Sequence, residues 1–250
     1  MRVAALYDIH GNLPALDAVL ADVAREQPDL IVCGGDVAWG PMPAQTIERL
    51  RGLGDLVRFV MGNTDREMVA AYDGGATTGE APGLVERWTD WSAHQLSRSQ
   101  RDFLAGFQWR CSVQIDGLGQ TLFCHGSPRS DSEIITALTR TDRLAPMLAD
   151  VAEDVVVCGH THVQFDRHCL GRRIVNAGSV GLPYQGEPGA YWLLLGPDVD
   201  FRRTNYDVAA AVRTMSANAF PHIEELLKES LLEPVSPRAV SEQFEHQATT

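Results

Sequence analysis

Apolar positions follow two different periods along the first third of the chain. Short apolar runs predict buried strands, whereas apolar residues three and four positions apart predict helices. The pattern predicts strands and helices in alternation, beginning with a strand, at 2–7, 13–23, 30–33, 46–50, 56–61 and 65–71. Strands that alternate with helices favour a largely parallel sheet covered by helices.

The pattern changes in the second half, where strands follow one another through tight turns. Asp116-Gly117 lies between two apolar runs and predicts a hairpin, and Gly171 joins another pair of strands. Helices are predicted at 84–107, 142–151 and 208–232, and strands at 111–115, 121–124, 155–158, 163–170, 173–176, 191–195 and 199–203. The simplest architecture is an α/β fold in which two mixed sheets pack face to face between helices.

These elements predict a single domain over 1–232. A stretch rich in Gly, Thr and Pro leads into a helical segment that contains Trp88 and Trp91, with Trp109 just beyond it, so 73–110 is a candidate helical cap or insertion. Burial of these aromatic side chains against the main core is the alternative. The end of the chain has two prolines and few apolar residues, which predicts a flexible C-terminal tail over 233–250.

The chain has 250 residues, of which 33 are acidic and 21 are Lys or Arg, so its formal net charge is −12. Binding along a nucleic-acid backbone or to an anionic membrane requires a basic surface, so this charge argues against both partners. A small anionic substrate in a locally positive site remains compatible with it. The apolar start is interrupted at Asp8, too early for an export signal or a membrane span, and we expect a cytoplasmic protein. The five cysteines include no C-x-x-C pair, which argues against a disulfide framework or a cysteine zinc site.

Side chains that bind metal ions occur at the ends of five predicted strands, each beside a glycine. Glycine tolerates left-handed backbone and close approach, which a strand needs in order to turn sharply. Residues two apart in extended backbone point to the same side, so D-x-H and H-x-H pairs can converge on one region. Strand ends at one edge of an α/β sheet are where such folds place their sites. The candidate ligands are Asp8, His10, Asp36, Asn63, His125, His160 and His162.

This ligand set combines two carboxylates, one amide and four imidazoles. A single histidine taken alone is more often a hydrogen-bonded, partly buried residue than a ligand, but the coincidence of strand end, glycine and ligand type favours a site. Calcium prefers oxygen ligands, and a structural zinc site is closed by about four ligands. Seven mixed ligands therefore favour two transition-metal ions with open positions. A carboxylate that bridges two ions about 3.5–4 Å apart is the arrangement used for phosphate-ester hydrolysis.

The order D-x-H, G-D, G-N, H and G-H-x-H resembles that of the calcineurin-like metallophosphoesterase superfamily. Four segments further resemble its small prokaryotic branch of phosphodiesterases and diadenosine-tetraphosphatase-like enzymes, namely Asp8-Ile9-His10-Gly11-Asn12, Gly40-Pro41-Met42-Pro43, His125-Gly126-Ser127-Pro128 and Asn176-Ala177-Gly178-Ser179-Val180-Gly181. The resemblance covers roughly 1–205. It implies a four-layer α-β-β-α sandwich with the site at the strand ends.

The resemblance also implies how the ligands divide between two divalent transition-metal ions. One ion would be bound by Asp8, His10, Asp36 and His162, and the other by Asp36, Asn63, His125 and His160. Asp36 would bridge the two ions, and with Asn63 and His125 it is also a candidate catalytic residue. Manganese is the expected metal, and iron, zinc or nickel are also used in the family.

One position departs from the family pattern. Many relatives have a histidine after the G-N pair that protonates the leaving oxygen or holds the phosphate, where this chain has Thr64. Thr64 cannot act as that acid, although its hydroxyl can donate a hydrogen bond to phosphate. Esters that need little leaving-group protonation, such as aryl esters or phosphoanhydrides, are therefore the expected substrates.

Three further residues are softer candidates. Asp65 is either a partner that supports a ligand or an acid stabilised by a helix N-terminus. Arg129 and Arg66 could contact a substrate phosphate, with an exposed surface arginine as the alternative for each.

The expected function is hydrolysis of phosphodiester or nucleotide-polyphosphate bonds by attack of a metal-bridging hydroxide on phosphorus. Two alternatives are a protein or small-molecule phosphomonoesterase of the same superfamily and a non-catalytic scaffold module with the same fold. All seven ligand positions are filled, which favours an enzyme. We expect a small phosphate-ester substrate, no stable nucleic-acid partner and no membrane partner, with a homodimer as one candidate assembly.

Overall fold

The computed structural model describes residues 1–75 and 83–249. The strands in this part of the chain are β1 (Val3–Leu6), β2 (Leu30–Cys33), β3 (Val57–Phe59), β4 (Cys111–Ile115), β5 (Gly119–Phe123), β6 (Val155–Cys158), β7 (Phe165–Cys169), β8 (Arg172–Asn176), β9 (Ala190–Leu195) and β10 (Val199–Thr204). The helices are α1 (Leu13–Glu26), α2 (Pro43–Arg51), α3 (Asn63–Tyr72), α4 (Leu84–His94), α5 (Arg98–Ala105), α6 (Thr141–Met147), α7 (Val208–Ser216), α8 (Ile223–Leu227) and α9 (Pro237–Gln247). No helix among the described residues is long and apolar enough to cross a membrane.

The strands form two five-stranded mixed sheets, each with three parallel strands in succession and antiparallel strands beside them. The first sheet has the order β10-β9-β1-β2-β3, in which β1, β2 and β3 are parallel. The second has the order β4-β5-β6-β8-β7, in which β5, β6 and β8 are parallel. The two mixed sheets predicted from the sequence are therefore confirmed.

The inner strands of both sheets contribute side chains to two apolar layers, because successive residues face opposite sides of a sheet. In β1, Val3 and Ala5 pack in the layer between the two sheets, whereas Ala4 and Leu6 pack in the layer that includes α1. On the outer face of the second sheet, Leu144 of α6 closes a third layer. The order helix, sheet, sheet, helix is the four-layer sandwich that the family resemblance implied.

The helical stretch predicted at 84–107 is divided into α4 and α5. The division falls at Ser97, whose hydroxyl accepts a hydrogen bond from Gln100 N at 3.3 Å while Ser97 N donates to the Gln100 side chain at 2.9 Å. This reciprocal cap starts a new helix. Trp88 of α4 is buried in the same apolar core as α1. This side chain therefore packs against the main core, which is the alternative to a separate cap. Residues 76–82 of the expected cap lie outside the described residues.

The single helix predicted at 208–232 is wrong. α7 ends at Ser216, and the chain turns at Ala219 and His222, which both have left-handed backbone with φ of 56° and 51°. Pro221, between them, lacks the backbone N–H that a continuing helix would need. The helix resumes as α8 and passes into a π-helical turn at Lys228–Leu232.

The segment 233–250, predicted to be a flexible tail, contains the helix α9 in its described part. Val240 and Ser241 are buried, and Glu245 accepts a hydrogen bond from Thr136 Oγ1 at 2.7 Å and pairs with Arg143 Nη1 at 2.6 Å. The composition did not reveal this helix because polar side chains contribute to the contacts that hold it.

Candidate metal centre

The candidate ligands leave the carboxyl ends of parallel strands in both sheets. Asp8 and His10 follow β1, Asp36 follows β2, and Asn63 begins α3. His125 follows β5, and His160 and His162 follow β6. Backbone hydrogen bonds continue past the strand ends: Asp8 N donates to Gly35 O at 3.1 Å, and Gly159 N donates to His125 O at 2.8 Å. The ligand segments are thus fixed by the sheets that precede them.

Left-handed backbone occurs at most of the ligands themselves. The φ angle lies between 49° and 65° at Asp8, His10, Asp36, His160 and His162. Such backbone costs a non-glycine residue about 1–3 kcal/mol and persists only where the surrounding structure enforces it. It turns each side chain sharply away from its strand, and clustered strain of this kind is typical of functional sites.

The neighbouring glycines contribute space as well as backbone freedom. A Cβ atom at Gly62 would lie 2.1 Å from Asp36 Oδ1, and one at Gly159 would lie 2.5 Å from Asp8 Oδ2. Neither glycine has a positive φ, so close approach of other groups explains them, namely a carboxylate at Gly62 and a carboxylate together with the Tyr7 ring at Gly159. The sequence pattern predicts bends at the glycines, whereas most of the left-handed backbone lies at the candidate ligands themselves.

The side chains form two adjoining groups. Ligand atoms lie within 4.8 Å of one another in each group, one being Asp8, His10 and His162 and the other Asp36, His125 and His160. Across the groups, His10 Nε2 is 3.8 Å from Asp36 Oδ2, and His125 Nε2 is 3.8 Å from Asp8 Oδ1. Each carboxylate therefore faces imidazoles of both groups, an arrangement that suits a carboxylate shared between two ions.

Asn63 begins α3 beside the second group. Glu67, one turn later, interacts with the Asn63 side chain, and this interaction counters the rise in the Glu67 pKa that burial causes. The amide oxygen Oδ1 of Asn63 is buried without a hydrogen-bond partner in the described part of the chain. The i,i+4 spacing of the two residues on a helix was an available signal for this interaction, which the sequence analysis missed.

Buried polar atoms without a partner collect in this region. Asp8 Oδ1, Asn63 Oδ1 and His125 Nε2 each lack a hydrogen-bond partner among residues 1–75 and 83–249. A buried unsatisfied polar group costs about 1–3 kcal/mol. Carboxylate, amide and imidazole lone pairs are ligands for divalent transition metals, so these residues fit the expected pair of ions.

Two of the histidines are anchored through their second ring nitrogen. His125 Nδ1 lies 2.9 Å from Gly34 O, and His162 Nδ1 lies 2.7 Å from Leu182 O. A carbonyl oxygen only accepts, so Nδ1 carries the proton in both residues. In the neutral tautomer the Nε2 lone pair then faces the cluster, as in many metal-binding histidines.

Burial and neighbouring charges set the protonation of the cluster. Burial lowers the pKa values of His10 and His160 to about 4, with a neighbouring histidine adding to the effect in each case. Burial would also lower the pKa of His125, but the negative charge of Asp36, whose Oδ2 lies 3.3 Å from Nε2, raises it to about 10. The pKa of Asp36 is held well below its ordinary value by His125, although burial alone would raise it. One charged imidazole therefore pairs with an ionised carboxylate, beside neutral imidazoles.

Asp65 is wholly buried and binds backbone amides. Its carboxylate accepts hydrogen bonds from Asp36 N at 2.7 Å, Val37 N at 3.0 Å and Gly62 N at 3.1 Å. Burial, followed by the charge of Asp36, raises the pKa of Asp65 to about 7 in opposition to these hydrogen bonds. Asp65 therefore lies in the first turn of α3 and holds the loop that carries Asp36.

Thr64 lies between Asn63 and Asp65 at the start of α3. Its backbone N donates to Asp36 Oδ1 at 2.9 Å. Its hydroxyl is buried and has no hydrogen-bond partner in the described part of the chain. The residue that replaces the family histidine therefore has a free hydroxyl proton next to the second ligand group.

The structure directs Arg129 to the surface. Arg129 Nε donates to both carboxylate oxygens of Glu133, at 3.1 and 3.0 Å, and Nη1 donates to Pro146 O at 3.3 Å. The side chain is 51% exposed, and no contact among the described residues joins it to the ligands. Arg129 is therefore an exposed surface arginine.

Arg66, the other arginine considered for phosphate binding, pairs with Asp131, with Nε 2.6 Å from Oδ2.

Comparison with known proteins identifies a family. Residues 1–195 match the family model of the calcineurin-like phosphoesterase superfamily domain. An uncharacterised protein of Methanocaldococcus jannaschii is 26% identical over 245 residues, which cover 88% of this chain and 93% of that protein. The symmetrical bis(5'-nucleosyl)-tetraphosphatase of Pectobacterium carotovorum is 44% identical over 69 residues, which are 27% of this chain and 25% of that enzyme.

Solved structures share the fold over nearly the whole chain. A metallophosphoesterase from Sphaerobacter thermophilus is 28% identical with a TM-score of 0.72, and the match covers 94% of this chain and 99% of that one. A hypothetical protein from Pyrococcus horikoshii is 20% identical with a TM-score of 0.79 and the same coverage, and it shares the fold.

Proposed function

The chain belongs to the calcineurin-like phosphoesterase superfamily, and on that premise we propose that it hydrolyses phosphodiester or nucleotide-polyphosphate bonds with two divalent transition-metal ions. The observation that carries this proposal is the pair of adjoining ligand groups with unpaired buried donor atoms. Manganese is our candidate metal, with iron, zinc or nickel as alternatives.

In this proposal the ligand groups keep the division implied by the family. Asp8, His10 and His162 hold one ion, Asn63, His125 and His160 hold the other, and Asp36 is shared. Two divalent ions bound there would activate a water molecule as the nucleophile and neutralise charge on the phosphoryl oxygens.

The remaining roles fall to side chains around the ligands. Glu67 and Asp65 keep the Asn63 amide and the Asp36 loop in place. The Thr64 hydroxyl donates a hydrogen bond to a phosphoryl oxygen of the substrate. Since a threonine does not protonate a leaving group, the proposal favours substrates whose leaving oxygen is already a weak base, such as aryl esters and phosphoanhydrides.

Two considerations support a small, phosphate-linked substrate. One relative with a named activity acts on a dinucleoside polyphosphate, although the match spans about a quarter of its length. The acidic net charge of −12 disfavours a long nucleic acid. A homodimer remains the candidate assembly.

The test is a panel of substrates assayed with and without Mn²⁺, Fe²⁺, Zn²⁺ and Ni²⁺. It compares bis-p-nitrophenyl phosphate, p-nitrophenyl phosphate, cyclic nucleotides and dinucleoside polyphosphates. We expect metal-dependent turnover of diesters or polyphosphates that Asp36→Asn abolishes. Preference for the monoester would support the phosphomonoesterase alternative. Absence of turnover with every metal would support the scaffold alternative, and full activity of Asp36→Asn would contradict the site.

A further inference from the structure

His10 differs from the two anchored histidines in how its ring is held. His125 and His162 each donate from Nδ1 to a backbone carbonyl, at 2.9 and 2.7 Å. The Nδ1 atom of His10 is buried and has no hydrogen-bond partner among the described residues. A metal-binding histidine usually owes its orientation to a hydrogen bond on the second nitrogen, so His10 requires another support.

Besides the neighbouring candidate ligand His162, whose ring centroid lies 4.9 Å away, the His10 ring contacts an aromatic side chain outside the ligand set. The Trp39 ring meets the His10 ring edge-on, with centroids 5.3 Å apart and an interplanar angle of 75°. Trp39 is 6% exposed and follows β2, three residues after Asp36. An edge-on aromatic contact restricts the tilt of both rings, because offset and edge-on geometries are preferred over others.

The orientation of Trp39 depends in turn on α4. Trp39 Nε1 donates to Thr89 Oγ1 at 2.9 Å, and the Thr89 hydroxyl donates to Val85 O at 3.0 Å. The Trp88 ring packs edge-on against the Trp39 ring with centroids 5.6 Å apart. One polar and one aromatic contact from the same helix therefore fix the indole.

The loop that carries Trp39 is held by the same helix. Ser92 Oγ accepts a hydrogen bond from Gly40 N at 3.1 Å and lies 3.2 Å from Gly40 O, to which it donates. A Cβ atom at Gly40 would lie 2.0 Å from His10 O, so this loop also contacts the His10 backbone. α4 thus controls the side chain and the loop on one side of His10.

We propose that α4 is a positioning element for the His10 ligand: Trp39, fixed by Thr89, orients the imidazole and thereby sets the affinity for the ion held by Asp8, His10 and His162. This inference rests on the proposed metal binding. It gives the Trp-containing helix a role in metal binding. It also predicts that a change in α4 alters the affinity for one ion and not for the other, because the second ion is held by His125, whose ring is anchored by Gly34 O.

The test is a calorimetric Mn²⁺ titration of metal-free protein carrying Thr89→Val or Trp39→Phe. Thr89→Val removes the acceptor of the indole N–H and keeps the side-chain volume nearly constant. We expect the affinity for one ion to fall about 10–100-fold, as for other groups that orient a metal ligand, and the affinity for the second ion to stay unchanged. The electron paramagnetic resonance spectrum of the variants should shift from coupled manganese pairs to isolated ions at limiting metal.

A double-mutant cycle with His10→Ala distinguishes positioning from general stability. If Trp39 acts through His10, Trp39→Phe weakens metal binding in the natural chain and has no further effect in the His10→Ala background. Trp91→Phe is the matched control, since Trp91 lies on the same helix and contacts Phe220 instead. It should leave both affinities unchanged.

Equal weakening of both ions, or unchanged affinities in both variants, would overturn the positioning role. Neither result would contradict the proposed function. The proposed function is contradicted by a different result, namely that the natural protein does not bind two ions.

Discussion

At the scale of single residues, the site combines strained backbone with unpaired polar atoms. Asp8 shows both, since its φ is 52° and its Oδ1 is buried without a hydrogen-bond partner in the described part of the chain. Each feature costs about 1–3 kcal/mol, so folding alone does not account for them. Metal binding would offset both costs. A bound ion would interact with the Oδ1 atom, and the left-handed backbone holds the carboxylate where the ion can bind it.

The residue that departs from the family, Thr64, carries the first prediction. Thr64→His should raise kcat/KM for esters with poor leaving groups relative to aryl esters, since an imidazole can protonate the leaving oxygen. The measurement compares alkyl and p-nitrophenyl diesters in the two proteins. Thr64→Val should lower kcat/KM on aryl esters by about 10–100-fold through loss of one hydrogen bond to charge, with Thr64→Ser as the control. No relative gain for Thr64→His would contradict the leaving-group argument.

His125 predicts a proton release on metal binding. Its pKa of about 10 means that it is protonated at pH 8.5 in the metal-free protein, and Nε2 must lose that proton to bind an ion. His10 and His160, with pKa values of about 4, are already neutral. Metal affinity should therefore rise with pH up to about pH 10. Calorimetry in buffers of different ionisation enthalpy should show about one proton fewer released by His125→Gln than by the natural protein. Equal release by both proteins would contradict this protonation state.

At the scale of elements, local sequence predicted the strands better than the helix ends. Each strand contributes to an apolar layer, and that leaves a clear period in the sequence. The division between α4 and α5 depends on a Ser97–Gln100 cap, and the end of α7 precedes left-handed turns. Apolar periodicity does not report caps and turns of this kind, so both boundaries were missed.

The helix α9 carries a stability prediction. Glu245 binds Thr136, Thr139 and Arg143, and its side chain is 19% exposed. Glu245→Gln should lower the free energy of unfolding by about 1–3 kcal/mol, because it weakens charge-assisted hydrogen bonds that are partly shielded from water. Chemical denaturation measures the change. The control is Glu242→Gln, whose exposed i,i+4 pair with Arg238 should contribute less than about 0.5 kcal/mol. Equal effects would mean that α9 is not held through Glu245.

At the scale of the whole molecule, net charge and site charge have opposite signs in the proposed state. The chain carries −12 overall, yet two divalent ions would more than cancel the carboxylates of Asp8 and Asp36. An acidic protein would then present a local positive centre for phosphate. The rest of its surface would repel longer polyanions.

This charge reversal predicts that phosphate binding requires metal. Removal of metal with a chelator should weaken binding of inorganic phosphate by more than about tenfold, because the remaining carboxylates repel it. Calorimetry measures the affinity, and addition of Mn²⁺ should restore it. Asp36→Asn, treated in the same way, should not recover. Phosphate binding that survives chelation would place the anion site elsewhere.

The sequence by itself determined the two-sheet architecture and the residues from which the candidate site is built. Both are local properties, since strand periodicity and ligands at strand ends can be recognised within a few residues. Only the tertiary structure decided that Arg129 pairs with Glu133 at the surface, that Glu67 interacts with Asn63, that α9 docks through Glu245, and that Trp39 packs on His10. Most of these depend on partners that are distant in the chain or on the rotation of a side chain, and a linear pattern contains neither.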